Sequence, residues 1–597
     1  MAKASSDAGR AVRGTDAGAA ARGLNRYAVG AQHPHYRWVA LSNTTLGMLM
    51  ATINSSIVII SLPAIFRGIG LDPLAPGNVS YLLWILMGFL LITAVLVVSL
   101  GRLGDIYGRV RIYNLGFAIF TAGSIGLAVD PMHGGSGALW LIIWRLVQGV
   151  GAAMLFANST AILTDAFPVE RRGMAMGINQ VAALAGSFIG LIAGGLLSEV
   201  DWRLVFFVSV PVGLVGTIWS YKSLHELSER NPARIDWWGN ILFGVGLTAV
   251  LAAITYGIQP YGSSDMGWEN PWVLAGLVGG TVMLAAFCLL ETKVAQPMFR
   301  MGLFRIKAFS AGNLAGLLAS VARGGLQFML IIWLQGIWLP LHGYSFEETP
   351  LWAGIYLLPL TAAFLVAGPL SGYLSDRFGA RTFATGGLIV VAGSFAGFAL
   401  IPTDFPYWLF ALLLAVNGIG SGLFSAPNTT GIMNSVPANQ RGAASGMRGT
   451  LFNSGTSLSI GVFFSLMIVG LASTLPHTLT AGLEAHDVPA DVATQIGHAP
   501  PVGSLFAAFL GYNPVQSLLG SRTLAALPAS DSKTLTGHTF FPSLISGPFH
   551  HGLVIVFVMA IAMSVIGAVA SMLRGGRYVH DDASGLHADL QPQSGGA

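Results

Sequence analysis

The sequence predicts an all-α polytopic membrane protein with fourteen transmembrane helices, on three observations. Only 9% of the 597 residues are charged while 53% are hydrophobic. A soluble chain carries about a quarter of its residues charged, so these charges are too few to cover a water-exposed surface of this size. Mean hydropathy is +0.67, and apolar runs of the roughly 20 residues needed to cross a hydrocarbon core recur along the whole length. Together they exclude a soluble enzyme, a nucleic-acid binder and a disordered scaffold. The alternating strands of about ten residues that build a membrane barrel are absent from the sequence.

The elements follow in order. Residues 1–37 are polar and rich in Ala, Gly and Arg, with no apolar stretch ahead of the first span. They read as a flexible cytoplasmic tail, not as a cleaved signal. Six spans then fill 38–221, at 38–66, 80–100, 112–129, 138–163, 174–197 and 204–221. A linker, 222–308, carries two more at 241–257 and 272–290. The remaining six occupy 309–573, at 309–338, 351–374, 382–401, 407–433, 443–471 and 549–573. Pro359 and Pro369 are expected to bend the tenth. Between the last two spans, 472–548 mixes Pro, Gly, His and Thr with short apolar patches such as 505–510. It reads as a loosely packed external loop, with an amphipathic cap on the outer membrane surface as the alternative. Residues 574–597 form a second cytoplasmic tail. Trp38, Tyr81, Trp140, Trp202, Trp272 and Trp408 sit at span ends, where aromatic residues anchor helices in the interface.

Basic residues set the orientation. Of 30 Lys and Arg, four (Arg67, Arg203, Arg522 and Lys533) fall in outer segments if both termini are cytoplasmic. Three more, Arg145, Arg323 and Arg448, fall within spans. All the others lie on the inner side, as cytoplasmic loops require. One cysteine, Cys288, excludes a disulfide framework and a thiolate metal cage. His33, His35 and the pair His550-His551 lie at membrane edges without carboxylate support, so no metal and no cofactor are expected.

The chain repeats itself. After the second span comes Gly101-Arg102-Leu103-Gly104-Asp105-Ile106-Tyr107-Gly108-Arg109, and after the tenth comes Gly372-Tyr373-Leu374-Ser375-Asp376-Arg377-Phe378-Gly379-Ala380-Arg381. Each sets a Gly, an Asp, a further Gly and an Arg at the inner mouth of a helix pair. There an Asp beside arginines can lock two helices through charge-assisted hydrogen bonds. The duplication implies two related halves with a cavity between them.

With these motifs the chain resembles the major facilitator superfamily, and within it the fourteen-span drug:proton antiporter branch of the EmrB/QacA type. The duplicated loop matches the family signature between helices 2 and 3. Arg145-Leu146-Val147-Gln148-Gly149 is similar to the Arg-x-x-Gln-Gly motif of helix 4. Gly186, Gly190, Gly194 and Gly195 are similar to the antiporter motif of helix 5, with Leu191 where a Pro is usual. The run from Trp202 to Gly213 resembles the one opening helix 6, and Asp236-Trp237-Trp238-Gly239 the start of the branch's extra helix pair. In helix 1, Asn54 stands at the position where the family carries an Asp. The resemblance implies a major facilitator fold, two six-helix halves plus an inserted helix pair. It implies rocking of the halves about a central site, with Asp105 and Arg109, and Asp376 and Arg381, stabilising the inner face in one state.

Charges inside spans carry the rest. None of the 26 acidic residues falls mid-span, whereas a proton relay normally uses a desolvated carboxylate. Two arginines do fall there, and each must face the bundle interior or water. Arg145 either hydrogen-bonds Asn54, Gln148 or backbone carbonyls structurally, or serves the cavity. Arg323, with Gln327 one turn away and no acid in sight, is expected to meet substrate. Both would make the cavity suit an anionic or amphipathic molecule. The helix 5 glycines are explained by close helix packing.

The expected function is secondary transport in the cytoplasmic membrane. The chain would export a drug-like or amphipathic small molecule, with the lipid bilayer as its surroundings and protons as the coupling ion that the resemblance implies. A facilitator, or an exporter of an anionic or amphipathic substrate coupled in another way, is the rival, and a non-transporting membrane receptor is the remote alternative. An intramembrane enzyme would need a nucleophile and base, or clustered ligands, within the spans.

Overall fold

The computed structural model describes residues 35–72, 75, 77–227, 235–262, 266–437, 440–511 and 513–574. The two expected tails lie outside them, apart from residues 35–37 and Arg574. Among the described residues, fourteen helices are long and apolar enough to cross a membrane. They are α1 (Tyr36–Ile69), α2 (Asn78–Tyr107), α3 (Arg109–Ala128), α4 (Gly134–Ala166), α5 (Met174–Val200), α6 (Leu204–Ser223), α7 (Trp237–Gly257) and α8 (Pro271–Glu291). There follow α9 (Lys307–Leu341), α10 (Thr349–Ser375), α11 (Ala380–Leu400), α12 (Tyr407–Asn434), α13 (Ala443–Glu484) and α14 (Phe540–Met572). The chain is therefore an all-α, multi-pass membrane protein with the fourteen spans its hydropathy predicts.

Local chemistry starts and stops these helices. Asp236 accepts a hydrogen bond from the Gly239 N–H at 2.8 Å and caps α7. Asn270 accepts one from Trp272 N–H at 3.0 Å ahead of Pro271, the residue type whose missing N–H costs nothing in a first helical turn. Gly108 and Gly379, at matching places in the repeated loop, end α2 and α10 with φ of 113° and 90°. Only glycine adopts that backbone without strain, so the turns into α3 and α11 depend on it.

The repeat is visible as packing. α1 lies on α5, α2 on α4, and α3 on α4 and α6; in the second half α9 lies on α13, α10 on α12, and α11 on α12 and α14. The halves touch through α2 with α13 and α5 with α10. α7 and α8 pack on each other, where Gly246 and Gly280 bring the backbones close, and α7 rests on α2 and α13. The far side of α8 presents Val278, Val282 and Leu289 outward, an apolar surface suited to lipid.

Two departures from the sequence reading concern helix breaks and the long loop. α10 is interrupted at Leu357, two residues before Pro359, where the proline lacks the N–H that would bond the Ile355 carbonyl and its ring crowds that turn. The segment 472–548 is mostly helical, not a loosely packed loop. α13 continues to Glu484, α14 begins at Phe540, and four short helices lie between: Ala490–Gly497, Pro501–Phe509, Val515–Ala526 and Ala529–Leu535. Every residue of Pro501–Phe509 is buried, so this helix is no surface cap. It contacts α2 of the first half and α9 and α13 of the second. Phe506 meets Phe464 of α13 with ring centroids 4.8 Å apart.

Candidate functional site

The end of the bundle where α2 turns into α3 is the motif end, and the end carrying 472–548 is the loop end. A cavity of about 2710 Å³ lies between the halves. Its wall runs from Ser56, Phe89, Arg323 and Gln327 in the middle of the bundle to Gly101, Arg102, Asp105 and Arg109 at the motif end. At the loop end the halves are in contact. Gln335 Nε2 of α9 donates to the Ile60 carbonyl of α1 at 3.1 Å. A Cβ on Gly195 of α5 would stand 2.7 Å from the backbone nitrogen of Leu351 in α10. The buried helix Pro501–Phe509 fills the same end.

The cavity is cationic. Among the described residues, its charged lining comprises Arg102, Arg109, Arg300, Arg305, Arg323, Arg441 and Arg448 against Asp105 and Glu291. Arg323 stacks on the Phe364 ring, 4.3 Å from its centroid, which holds the guanidinium flat while leaving its edge to the cavity. Gln327 lies one turn along the same face. Arg448 of α13 shares with Arg323 a side pocket of about 70 Å³ lined also by Asn417, Asn428 and Phe424.

Asn54, Arg145 and Gln148 form a separate site that is not part of the cavity wall. Arg145 is 1% exposed and fully engaged. Its Nη1 donates to Asn54 Oδ1 at 2.5 Å and Gln148 Oε1 at 2.9 Å, and its Nε to the Ile85 carbonyl at 3.2 Å. Its guanidinium lies 4.4 Å from the Phe89 ring centroid. Asn54 Nδ2 in turn donates to Ser209 Oγ of α6 at 3.4 Å, and Gln148 Nε2 to Ser124 Oγ of α3 at 2.8 Å. One cation thus ties five of the six helices of its half.

At the motif end Arg109 Nε donates to Asp105 at 2.9 Å and Nη1 to both oxygens of Asp165 at 2.7 and 2.8 Å. The N–H groups of Arg109 and Val110 donate to Glu226 at 2.9 and 3.1 Å. A carboxylate at the start of α3 is favourable because the helix N-terminus is electropositive. Asp165 and Glu226 were not among the motif residues read from sequence, since each belongs to a different helix end. In the second half Arg381 is exposed and Gly372 approaches Ala426 of α12; the side chain of Asp376 lies outside the described residues.

The helix 5 glycines divide by partner. A Cβ on Gly186, Gly190 or Gly194 would stand 2.8, 2.6 or 2.8 Å from the Leu49, Ile53 or Ile57 carbonyl of α1, and Ser61 Oγ donates to the Gly194 carbonyl at 2.9 Å. Gly195 instead faces the other half, through Leu351.

Known proteins share this architecture. The family model described as Major Facilitator Superfamily matches residues 44–460. The riboflavin transporter RibZ of Clostridioides difficile is 27% identical over 438 residues, 73% of this chain and 89% of that protein. The tetracenomycin C resistance and export protein of Streptomyces glaucescens is 28% identical over 477 residues, 78% of this chain and 84% of that protein. Among solved structures, a bacterial homologue of the human lysosomal transporter Spinster, inward-facing and unoccupied, matches with a TM-score of 0.55 at 16% identity, covering 91% of this chain and 98% of that one. That likeness is one of fold.

Proposed function

The chain belongs to the Major Facilitator Superfamily, and from that premise we propose that it exports an anionic or amphipathic drug-like molecule by alternating access, driven by the proton gradient. Membership makes it a membrane transporter and not an enzyme. The observation that carries the finer reading is the cavity. It is large enough for a drug-sized ligand, which needs about 300–1,000 Å³, and among the described residues seven arginines against two acids line it. Cations in a low-dielectric cleft attract and retain anions.

The positive-inside distribution supports a cytoplasmic motif end, and on that reading this conformation is open inward. Substrate would enter there, meet Arg323 and Gln327, and leave after the halves rock apart at the loop end. The relatives named above are a riboflavin transporter and a tetracenomycin C resistance and export protein, and both support a small organic molecule as the substrate.

Uptake into everted membrane vesicles tests the reading, with one anionic and one cationic fluorescent compound and the pH gradient imposed or collapsed. The expected result is gradient-driven uptake of the anion. Arg323→Ala should lower it about tenfold or more, because a hydrogen bond to a charged group contributes about 1.5–3 kcal/mol, and leave vesicle integrity unchanged. Anion uptake unaffected by Arg323→Ala would remove the arginine from the site. Exchange that ignores the gradient would select a facilitator, the reading favoured by Asn54 in place of a helix 1 acid.

A further inference from the structure

We propose that Asp236 and Glu291, at the foot of the inserted helix pair, hold a single proton between them at the mouth of the cavity and form the protonation site that the spans otherwise lack. The role in coupling rests on the transport reading above; the proton site itself does not.

The inserted helices bring together two acids far apart in sequence. Asp236 caps the start of α7 and Glu291 ends α8. One oxygen of each is fixed by a backbone N–H: Gly239 N donates to Asp236 Oδ1 and Phe299 N to Glu291 Oε2, both at 2.8 Å. The second oxygens, Asp236 Oδ2 and Glu291 Oε1, are buried and receive no hydrogen bond from a donor among the described residues. Both point into the same space, each 2.5 Å from where a Cβ on Gly239 would stand, which leaves the two oxygens no more than about 5 Å apart. Ionised carboxylates only accept hydrogen bonds, so neither can satisfy the other until one of them takes up a proton.

The surroundings favour that proton. Asp236 is 7% and Glu291 2% exposed. On the same elements, α7, α8 and the segment after α8, the rings of Phe243, Phe287 and Phe299 pack on one another with centroids 5.3–6.1 Å apart. Two negative charges in such a place are penalised both by lost hydration and by each other, and one proton relieves both. The charged and titratable groups that face the pair are Arg102 from α2 and Cys288 on α8 itself, and Arg102 in turn is faced by Asp105 and by Arg300 from the segment after α8. Asn240 of α7 donates to the Asp236 carbonyl at 2.6 Å.

Arg102 is the group that can exchange with the proton. Its guanidinium donates to the carbonyls of Gln296, at 2.7 Å, and Pro297. A turn of that side chain onto the carboxyls would replace the shared proton by a fixed positive charge and release it to the cavity, whose wall includes both Glu291 and Arg102. Arg102 stands one turn from Asp105, so the proton site adjoins the pairing of Arg109 with Asp165.

Infrared spectroscopy of the purified protein in lipid nanodiscs tests the site. A protonated-carboxyl band is expected at neutral pH in the wild type and not in the double variant Asp236→Asn with Glu291→Gln. Absence of the band in the wild type, or its persistence in the double variant, overturns the proposal. In proteoliposomes, one coupled proton and a gradient of one pH unit sustain about a tenfold accumulation. Glu291→Gln should abolish accumulation of the anionic compound while its equilibrium exchange continues, which also reports that the variant is folded. Accumulation that survives Glu291→Gln overturns the coupling role. If the wild type moves neither compound, the transport reading fails, and the infrared band still decides the proton.

Discussion

Arg145 is the residue on which the first half is most dependent. Its charge is buried beside neutral acceptors only, so the cost of desolvation is met by hydrogen bonds and by the Phe89 ring. Arg145→Leu leaves Asn54 Oδ1 and Gln148 Oε1 without this donor and removes the second hydrogen bond of the Ile85 carbonyl, a loss expected at about 3 kcal/mol. Asn54→Asp should act in opposite directions in two backgrounds. With Arg145 present it completes an ion pair and stabilises; combined with Arg145→Leu it buries an unpaired carboxylate and destabilises further. Unfolding in detergent of the four proteins of this cycle checks the reversal of sign, and two effects of equal sign would show that Asn54 and Arg145 act independently. A guanidinium on a membrane helix must find acceptors, so this site was legible in the sequence. Its separation from the cavity was not, because the sequence does not say which face of α4 turns inward.

At the scale of elements, α5 works with two faces. Three glycines one turn apart let it lie on α1, and Gly195 lets it meet α10 in the other half. Gly195→Val forces the Leu351 backbone away, so the loop end should open while α1 and α5 stay together. Spin labels at Glu199→Cys and Glu348→Cys, with Cys288→Ser, report the gap; their mean distance should lengthen in Gly195→Val, and an unchanged distance would mean that the contact does not hold the halves. The fourteen spans were readable because length and hydropathy alone decide whether a helix crosses a bilayer. The helix Pro501–Phe509 was not, since nine mostly apolar residues are too few to span and nothing local separates an apolar patch in a loop from one docked in a protein interior. The same limit hid the meeting of Asp236 with Glu291: each is an ordinary helix-end acid until α7 and α8 pack.

At the scale of the molecule, the proposed anionic substrate makes the excess of arginine in the cavity testable as electrostatic steering. Raising ionic strength from about 0.01 to 0.15 M shortens the screening length from about 30 to 8 Å. The initial rate of anion uptake should therefore fall, with little change in the rate for a neutral compound, and equal responses would remove steering as an explanation. The two halves repeat their contacts closely, yet their cores differ. A buried arginine joins the helices of the first half, while Arg323 in the second half faces the cavity. The duplicated loop forecast the symmetry of the frame, whereas the different placement of the two intramembrane arginines was not legible, since both were expected to line the cavity.

The helix Pro501–Phe509 adds a thermal property to this frame. It touches both halves and is buried throughout, so opening the loop end requires Phe506, Phe509 and their neighbours to meet water. Exposure of apolar surface raises heat capacity, which makes the balance between the two conformations curve with temperature. Cooling weakens the hydrophobic seal. The wedge therefore acts as a thermostat on the resting state, holding the loop end shut most firmly in the warm and loosening it in the cold.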